Sequence, residues 1–411
     1  MSDNNLIFHI DVNSAFLSWE ACKRLQKDPE AVDIRNIPAV IGGDESRRHG
    51  IVLAKSVPAK RYGINTAEPL ASARKKCPDI MIIPPDFSQY VLCSNAFISY
   101  LNEVAPVVEQ YSIDEAFCDM SGTSTLYGDP IEFAHKMKDE IYNRYGFTVN
   151  IGISTNKLLA KMASDFQKPN KVHTLFPDEI QTKMWPLPVN ELFSVGKSTA
   201  ARLLSLGFHT IGDIARCDKT LLISHFKKHG ETIWNYANGI DSGDMTRPST
   251  TKSFGNSITL SYDVTDESTA HMILLSLCET VGARIRADKS HISVVSVNIT
   301  DSEFNNQSKQ CTLPQSTNIT EDIYHTALKL FNELWNNKPI RLLGVSTSHA
   351  TDTTAAQVSL FNNPQNEKLA KLNSAVDKIR EKYGEDSIKR ARFIGSDYTH
   401  MTGGLNKEKR Q

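Results

Sequence analysis

Leu6-Ile7-Phe8-His9-Ile10-Asp11-Val12-Asn13, near the start of the chain, is an apolar run that stops on an acid. A run of this length reads as a buried strand, with Asp11 emerging at the edge of its sheet. Residues 14–27 then carry a helical pattern. A second acidic site lies far downstream in Ser112-Ile113-Asp114-Glu115-Ala116-Phe117, inside a segment from Val107 to Met120 that also reads as strand. If the two strands are sheet neighbours, three carboxylates converge on one small volume. Two divalent ions fit such a site, roughly 3.5–4 Å apart, one activating a hydroxyl and the other gripping a triphosphate. Hard oxygen ligands suit Mg²⁺, with Mn²⁺ as a substitute. A lone acid at a strand end is ordinarily a solvated residue, so the pairing of two such ends carries the reading.

Outward from these sites the chain alternates strand and helix. Ala39-Val40-Ile41 and Gly50-Ile51-Val52-Leu53-Ala54 read as strands around a polar, hairpin-like loop with Arg47 and Arg48, and Thr148 to Ser154 reads as another strand. This is the pattern of an α+β core sheet. Trp185-Pro186-Leu187-Pro188 closes the core, and several short helices follow over 190–240. Asp241 to Ser253 looks like a linker. A second α+β domain has strands at 257–262, 293–300 and 342–348 and helices at 268–287 and 320–336. From Thr351 the chain is polar and charged, and its last dozen residues look disordered.

At 411 residues the chain has room for two to four domains. With 40% apolar and 23% charged residues and no long apolar stretch, it reads as soluble, without a membrane span. Seven scattered cysteines, none spaced as CxxC, argue against a zinc site or a disulfide framework. The start, Met1-Ser2-Asp3-Asn4-Asn5, lacks the features of a secretory signal, and a cytoplasmic location is expected. A net charge of −1 gives no bulk support for a nucleic-acid partner. Residues 22–76, however, hold 12 Lys and Arg against 6 Asp and Glu, as a phosphate-facing lobe would.

Asp11-Val12-Asn13-Ser14-Ala15-Phe16 and Ser112-Ile113-Asp114-Glu115 resemble the two metal-binding motifs of the Y-family DNA polymerases, the group that includes bacterial DNA polymerase IV and the catalytic subunit of DNA polymerase V. The likeness runs from about Leu6 to at least Phe361. It implies a right-hand architecture: a palm from 1–14 and 83–175, small fingers from 15–82, a helical thumb from 176–244, a linker at 245–252, a little finger from 253–350 and a tail from 351–411. The function it implies is template-directed, low-fidelity DNA synthesis past lesions. Asp11, Asp114 and Glu115 are then the catalytic metal ligands, together with the backbone of Val12.

The resemblance places Phe16 as an aromatic steric gate, a flat ring beneath the sugar that leaves no room for a 2′-hydroxyl. Without the motif, Phe16 reads as a core aromatic. The triphosphate would meet amides from Val12 through Asn13, Ser14 and Ala15 to Phe16 at a helix start. It would also meet Lys168, in a Lys-Pro-Asn element, and Lys60. The segment Ser56-Val57-Pro58-Ala59-Lys60 departs from the DNA polymerase IV branch, which usually carries Tyr and Arg at the positions of Val57 and Lys60, and looks closer to the polymerase V branch. Lysine lacks arginine's bidentate fork. Lys157 and Lys161, four apart on one helix face, fit a solvated surface and a DNA-backbone contact equally well.

Leu192-Phe193-Ser194-Val195-Gly196-Lys197-Ser198-Thr199-Ala200, with the Gly207 and Gly212 turns after it, resembles a helix-hairpin-helix. Gly196, Lys197 and Ser198 would present donors to DNA phosphates without reading sequence. A plain helical bundle is the alternative. A P-loop is excluded, because Glu191 stands where a Walker sequence needs glycine. In the tail, Gln357-Val358-Ser359-Leu360-Phe361 looks like the short peptide with which bacterial polymerases dock on the sliding clamp. Gln357, Leu360 and Phe361 are its expected anchors. The expected partners are primer–template DNA, deoxynucleoside triphosphates and the clamp, for a monomer. Two rival functions are a non-catalytic DNA-binding scaffold and a nucleotidyl cyclase with a similar two-metal palm.

Overall fold

The computed structural model describes residues 5–43, 50–241, 243, 245, 251–352, 364–396 and 398–401. The clamp-like residues Gln357, Leu360 and Phe361 and most of the linker lie outside them. The chain divides into two compact units, one made of Met1–Gly42, Val52–Glu68 and Ser72–Pro248 and one mostly of Ser249–Gln411, with Gly43–Ile51 and Pro69–Ala71 grouped with the latter. Both mix helices with sheet, the α+β class that the alternating patterns lead one to expect. Among the described residues no helix is long and apolar enough to cross a membrane.

The first unit begins with β1 (Ile7–Val12), α1 (Ala15–Lys27), β2 (Ala39–Gly42), β3 (Val52–Lys55), α2 (Val57–Arg61), α3 (Leu70–Lys76) and β4 (Met81–Ile83). It continues through α4 (Phe87–Val104), β5 (Val107–Gln110), β6 (Glu115–Asp119), α5 (Ser124–Tyr127), α6 (Pro130–Tyr145), β7 (Val149–Ser154), α7 (Lys157–Asp165) and β8 (Val172–Thr174). Five strands form one sheet in the order β5-β6-β1-β7-β8, with β1 central and antiparallel to both neighbours. Every residue of β1 is buried, as a strand covered on both faces must be. Phe8, Ile10 and Val12 share a core with Tyr90, Phe97 and Leu101 of α4 and Met137 and Ile141 of α6. Ile7 packs with Ala160 of α7 on the other side. Because successive side chains point to opposite faces, Asp11 falls with Ile7 and His9 on the α7 side.

Helix α7 presses hard on this sheet. A Cβ on Gly152 of β7 would stand 2.0 Å from the Ala160 carbonyl oxygen, so only glycine fits there. The outer side of α7 belongs to a different core. Leu158, Leu159 and Met162 pack with residues of α8 (Lys197–Ser205), α9 (Ile211–Arg216), α10 (Lys219–Phe226) and α11 (Lys228–Ala237). This is the short-helix region foreseen over 190–240. The smaller sheet, β3-β2-β4, packs with Leu17 and Ala21 of α1.

One element differs from its sequence reading in a way that matters for the site. Val107 to Met120 is a hairpin of two strands, β5 and β6, paired from Val107 with Asp119 to Gln110 with Ala116. Tyr111 N–H and Ser112 N–H both donate to the Glu115 carbonyl, at 3.0 and 3.1 Å, closing the turn that carries Asp114.

The second unit is a four-stranded antiparallel sheet in the order β11-β10-β12-β9, made by β9 (Ser253–Val264), β10 (Ser290–Asp301), β11 (Asn306–Thr317) and β12 (Ile340–Ser348). Two helices, α12 (Glu267–Ala287) and α13 (Thr320–Leu334), share its core through Ile273, Leu277, Val281, Ile323 and Phe331. A two-residue strand, β13 (Thr351–Asp352), pairs with β10. The polar stretch beyond residue 351 is more structured than its composition suggests, because it contains α14 (Pro364–Tyr383). That helix is held by ions. Arg286 of α12 forks onto Asp377 at 2.5 and 3.1 Å. Glu279, 5% exposed at its side chain, binds Arg380 at 2.8 Å and Arg390 at 2.5 Å.

Candidate active site

The register of the large sheet sets Asp11 directly opposite Glu115 on one side and Asn150 on the other. Facing residues in such a pair have Cβ atoms roughly 4.5–5.5 Å apart. Val12 N–H then donates to the Asp114 carbonyl at 3.0 Å, stitching the hairpin turn to β1 next to Asp11. The backbone therefore brings all three acids to one sheet end. The Ser112 hydroxyl donates to Asp114 Oδ1 at 2.7 Å and fixes that side chain.

Two of the acids already face cations. Lys168 Nζ stands 2.6 Å from Asp11 Oδ2 and 2.8 Å from Asp165. Burial pushes the Asp11 carboxyl up to about 6 against the pull of Lys168. Lys161 Nζ stands 2.6 Å from Glu115 Oε2. Burial would raise Glu115 too, but its partners His9 and Lys161 outweigh that and hold it below the usual carboxylate range. Of the two, Lys161 is the one whose hydrogen bond the geometry supports. The fully buried His9 lies 3.5 Å from Glu115 through Nε2, too far for a good hydrogen bond. Its Nδ1 is 2.8 Å from the Ser164 hydroxyl, which itself donates to the Lys161 carbonyl. Nδ1 therefore carries the proton, and in a neutral ring Nε2 has none to give. Burial keeps this histidine's pKa low.

Carboxylate oxygens are the right donor type for a hard divalent ion. Among the described residues, however, no three His, Cys, Asp or Glu side chains converge closely enough to cage one. The donors fit in kind and in backbone register, with Glu115 turned toward Lys161. Its carboxylate has to rotate away from that lysine to join Asp11 and Asp114.

Several foreseen contacts are engaged otherwise. Val12 N–H is bound to Asp114, and Asn13 N–H donates to the Thr148 carbonyl at 3.0 Å, which leaves Ser14, Ala15 and Phe16 amides at the start of α1. The Asn13 side chain is buried and braces the loop of Lys168. Its Oδ1 accepts from Asn170 N–H at 2.8 Å and from Thr148 Oγ1 at 3.0 Å. Lys157 and Lys161 are not free cations on a solvated face. Lys157 lies 3.0 Å from Glu109, and Lys161, 9% exposed, is held by Glu115. The solvated surface considered for both is therefore not what they face, since the sheet and the short-helix core enclose α7. Lys60 is exposed on α2, and its charge, after burial, helps lower the pKa of Lys55. Gly196, Lys197 and Ser198 are exposed at the start of α8, and a Cβ on Gly196 would meet open space.

Asn150 was invisible to sequence reasoning. Fully buried, it donates from Nδ2 to the Ser164 and Gln167 carbonyls at 2.9 and 2.7 Å. Its Oδ1 accepts from Asn13 Nδ2 at 3.1 Å and from Lys171 N–H at 3.2 Å. It thus ties β1, β7, the end of α7 and the Lys168 loop together. Asn150→Ala removes four hydrogen bonds, two of them to the buried Ser164 carbonyl and Asn13 amide, and is expected to cost about 2–3 kcal/mol, read by urea unfolding. A change below about 0.5 kcal/mol would show that the network closes without it.

Comparisons with known proteins bear on the same residues. The impB/mucB/samB family matches 10–165, its C-terminal domain matches 251–360, and the IMS family HHH motif matches 177–208. DNA polymerase IV of Clostridium acetobutylicum is 48% identical over 94% of this chain and 98% of its own length. DNA polymerase IV 1 of Bacillus subtilis is 33% identical over 98% and 97%. These relatives carry the DNA polymerase IV name although Val57 and Lys60 had pointed to the polymerase V branch. A solved Y-family DNA polymerase chimera of Dbh and Dpo4 superposes with a TM-score of 0.72 at 23% identity, covering 85% of this chain and all of that one.

Proposed function

The chain belongs to the Y-family DNA polymerases, and from that premise we propose that it extends primers by two-metal nucleotidyl transfer at Asp11, Asp114 and Glu115. As a DNA-directed DNA polymerase of the translesion class it acts on DNA and deoxynucleoside triphosphates and depends on divalent metal. The scaffold and cyclase alternatives are set aside. The finer reading rests on one observation: Asp11 faces Glu115 in register, with the Asp114 turn stitched to Val12 beside them.

When bound, two Mg²⁺ ions, or Mn²⁺ in their place, lower the pKa of the primer 3′-hydroxyl and neutralise the triphosphate oxygens. Asp11, Asp114 and Glu115 hold that charge, with the backbone of Val12. Lys168, 2.6 Å from Asp11, is placed to exchange that carboxylate for a triphosphate oxygen. The amides of Ser14, Ala15 and Phe16 add donors where the α1 dipole favours an anion. Lys60 adds a more distant charge. The Phe16 ring sits beneath the sugar as the steric gate. Catalysis is then mostly position and charge, and loosely pressing fingers give low fidelity. Gly196, Lys197 and Ser198 meet template phosphates. Gln357, Leu360 and Phe361 dock on the sliding clamp, which raises local concentration for a monomer of weak DNA grip. Leu360→Ala with Phe361→Ala is expected to remove clamp stimulation of primer extension while leaving clamp-free synthesis in place.

Primer extension with Mg²⁺ on intact and abasic templates tests the reading, and DNA binding without extension on either would sink it. A second test uses protons. With its carboxyl near 6, Asp11 must lose a proton to take a metal below that pH and none above it. Mn²⁺ affinity is therefore expected to fall about tenfold per pH unit below pH 6 and to level off above it. Electron paramagnetic resonance of free Mn²⁺ reads this directly, and a flat profile from pH 5 to 7 would contradict it.

A further inference from the structure

We propose that Tyr90 is a specificity-determining residue, a rigid backing that holds the Phe16 ring in place and so sets discrimination against ribonucleotides. The inference rests on Phe16 being the gate. A gate of this kind works only if it does not yield. A phenylalanine half open to solvent has rotamers to escape into, and a 2′-hydroxyl pressing on it would find them.

Phe16 is half-buried on α1, and its ring lies flat on that of Tyr90, with centroids 4.6 Å apart and planes 9° from parallel. Phe87 meets both rings edge-on, at 6.0 Å from Phe16 and 5.9 Å from Tyr90. Trp19 lies tilted against both at 6.0 Å. The four rings come from α1 and α4, and the helices are tied by Lys23 of α1, 2.6 Å from Asp86. Asp86 also caps α4, accepting from Gln89 N–H at 3.2 Å. Tyr90 is thus fixed one turn from a pinned helix start.

The polar atoms of the backing rings point to shape as their task. Tyr90 and Trp19 are fully buried, yet among the described residues the Trp19 indole N–H has no hydrogen-bond partner and the Tyr90 hydroxyl, near the Asp86 backbone, makes no well-aligned bond. Burying such groups unpaired is unfavourable. The rings are therefore held by packing, and the flat face that Tyr90 offers to Phe16 is what the site keeps. A stacked aromatic pair is enough to bias a rotamer by about one order of magnitude.

The test compares kcat/KM for a deoxynucleotide with that for its ribonucleotide in single-nucleotide insertion, in the full chain. Tyr90→Phe keeps the ring and is expected to retain the wild-type ratio. Tyr90→Leu is expected to raise relative ribonucleotide use about tenfold, and Tyr90→Met, whose unbranched chain adapts to irregular gaps, carries the comparison if the leucine variant does not fold. Phe16→Ala is run beside them. If Phe16→Ala admits ribonucleotides and neither Leu nor Met at 90 does, the backing role is wrong and the gate stands. If Phe16→Ala leaves the ratio unchanged, the gate reading itself has failed. A ratio relaxed equally by Tyr90→Phe would overturn the claim that the ring face, rather than the hydroxyl, is what acts.

Discussion

Asp114→Ala combined with Glu115→Ala is expected to leave primer–template binding in place and to reduce primer extension by about three orders of magnitude or more. The two residues adjoin at the end of the β5–β6 hairpin, and neither side chain contributes to the strand pairing itself. The turn is closed by Glu115's backbone carbonyl, which alanine retains. The fold therefore has no reason to fail. Two changes do follow locally. Lys161, 9% exposed, loses the carboxylate 2.6 Å away, and the Ser112 hydroxyl loses its acceptor on Asp114. A side chain as long as lysine can relieve the first by reaching toward solvent. Circular dichroism and DNA binding should be near wild type while extension is lost. Retained extension would remove both residues from the chemistry.

Glu279→Ala is expected to destabilise the second unit by about 3–5 kcal/mol, the cost of leaving a buried charge without its partner. Glu279 sits in α12 with both oxygens bound, one by Arg380 of α14 and one by Arg390. Removing it leaves the Arg380 guanidinium, 6% exposed, with a single hydrogen bond to the Ile388 carbonyl. The readout is amide exchange in α14, expected to accelerate by about two to four orders of magnitude. Glu279→Leu with Arg380→Met gives the converse control, since replacing both partners by apolar side chains is often neutral. If exchange in α14 is unchanged in the single variant, the ion cluster does not hold the helix.

The chemistry of the site was more legible than its geometry. Asp11 and the Ser-Ile-Asp-Glu tetrapeptide stand out because acids close to apolar runs are unusual. That Asp114 lies on a turn was hidden, because the apolar residues on either side of it make the whole of Val107 to Met120 read as one strand. The turn depends on two backbone donors sharing one carbonyl, which leaves no periodic mark. The ion pairs of Lys157 and Lys161 were hidden for a different reason. Their spacing describes one face of a helix, but only the tertiary fold decides what covers that face, and here carboxylates of β5 and β6 do. Strand β11 was missed because it is an edge strand exposed over most of its length, so it lacks the apolar alternation of its neighbours. Helix α14 was missed because arginines and acids bind it, and these look the same in sequence whether they are solvated or paired. The partnership of Phe16 with Tyr90 spans two helices, beyond any local pattern.

The central place of β1 also bears on how the protein is made. This strand is synthesised well before its two neighbours, β6 and β7, which are complete only at Asp119 and Ser154. At about 5–20 residues per second the interval from Val12 to Ser154 is roughly 7–30 seconds, during which the β1 edge that β7 covers stays unpaired, the other edge waiting only until β6 is made. The three acids are therefore all present only once Glu115 has been made, and β7 can brace them only from Ser154, a little over a third of the way along the 411 residues. A product terminated before β7 would be a sticky fragment for chaperones and proteases to clear, with no residual DNA synthesis.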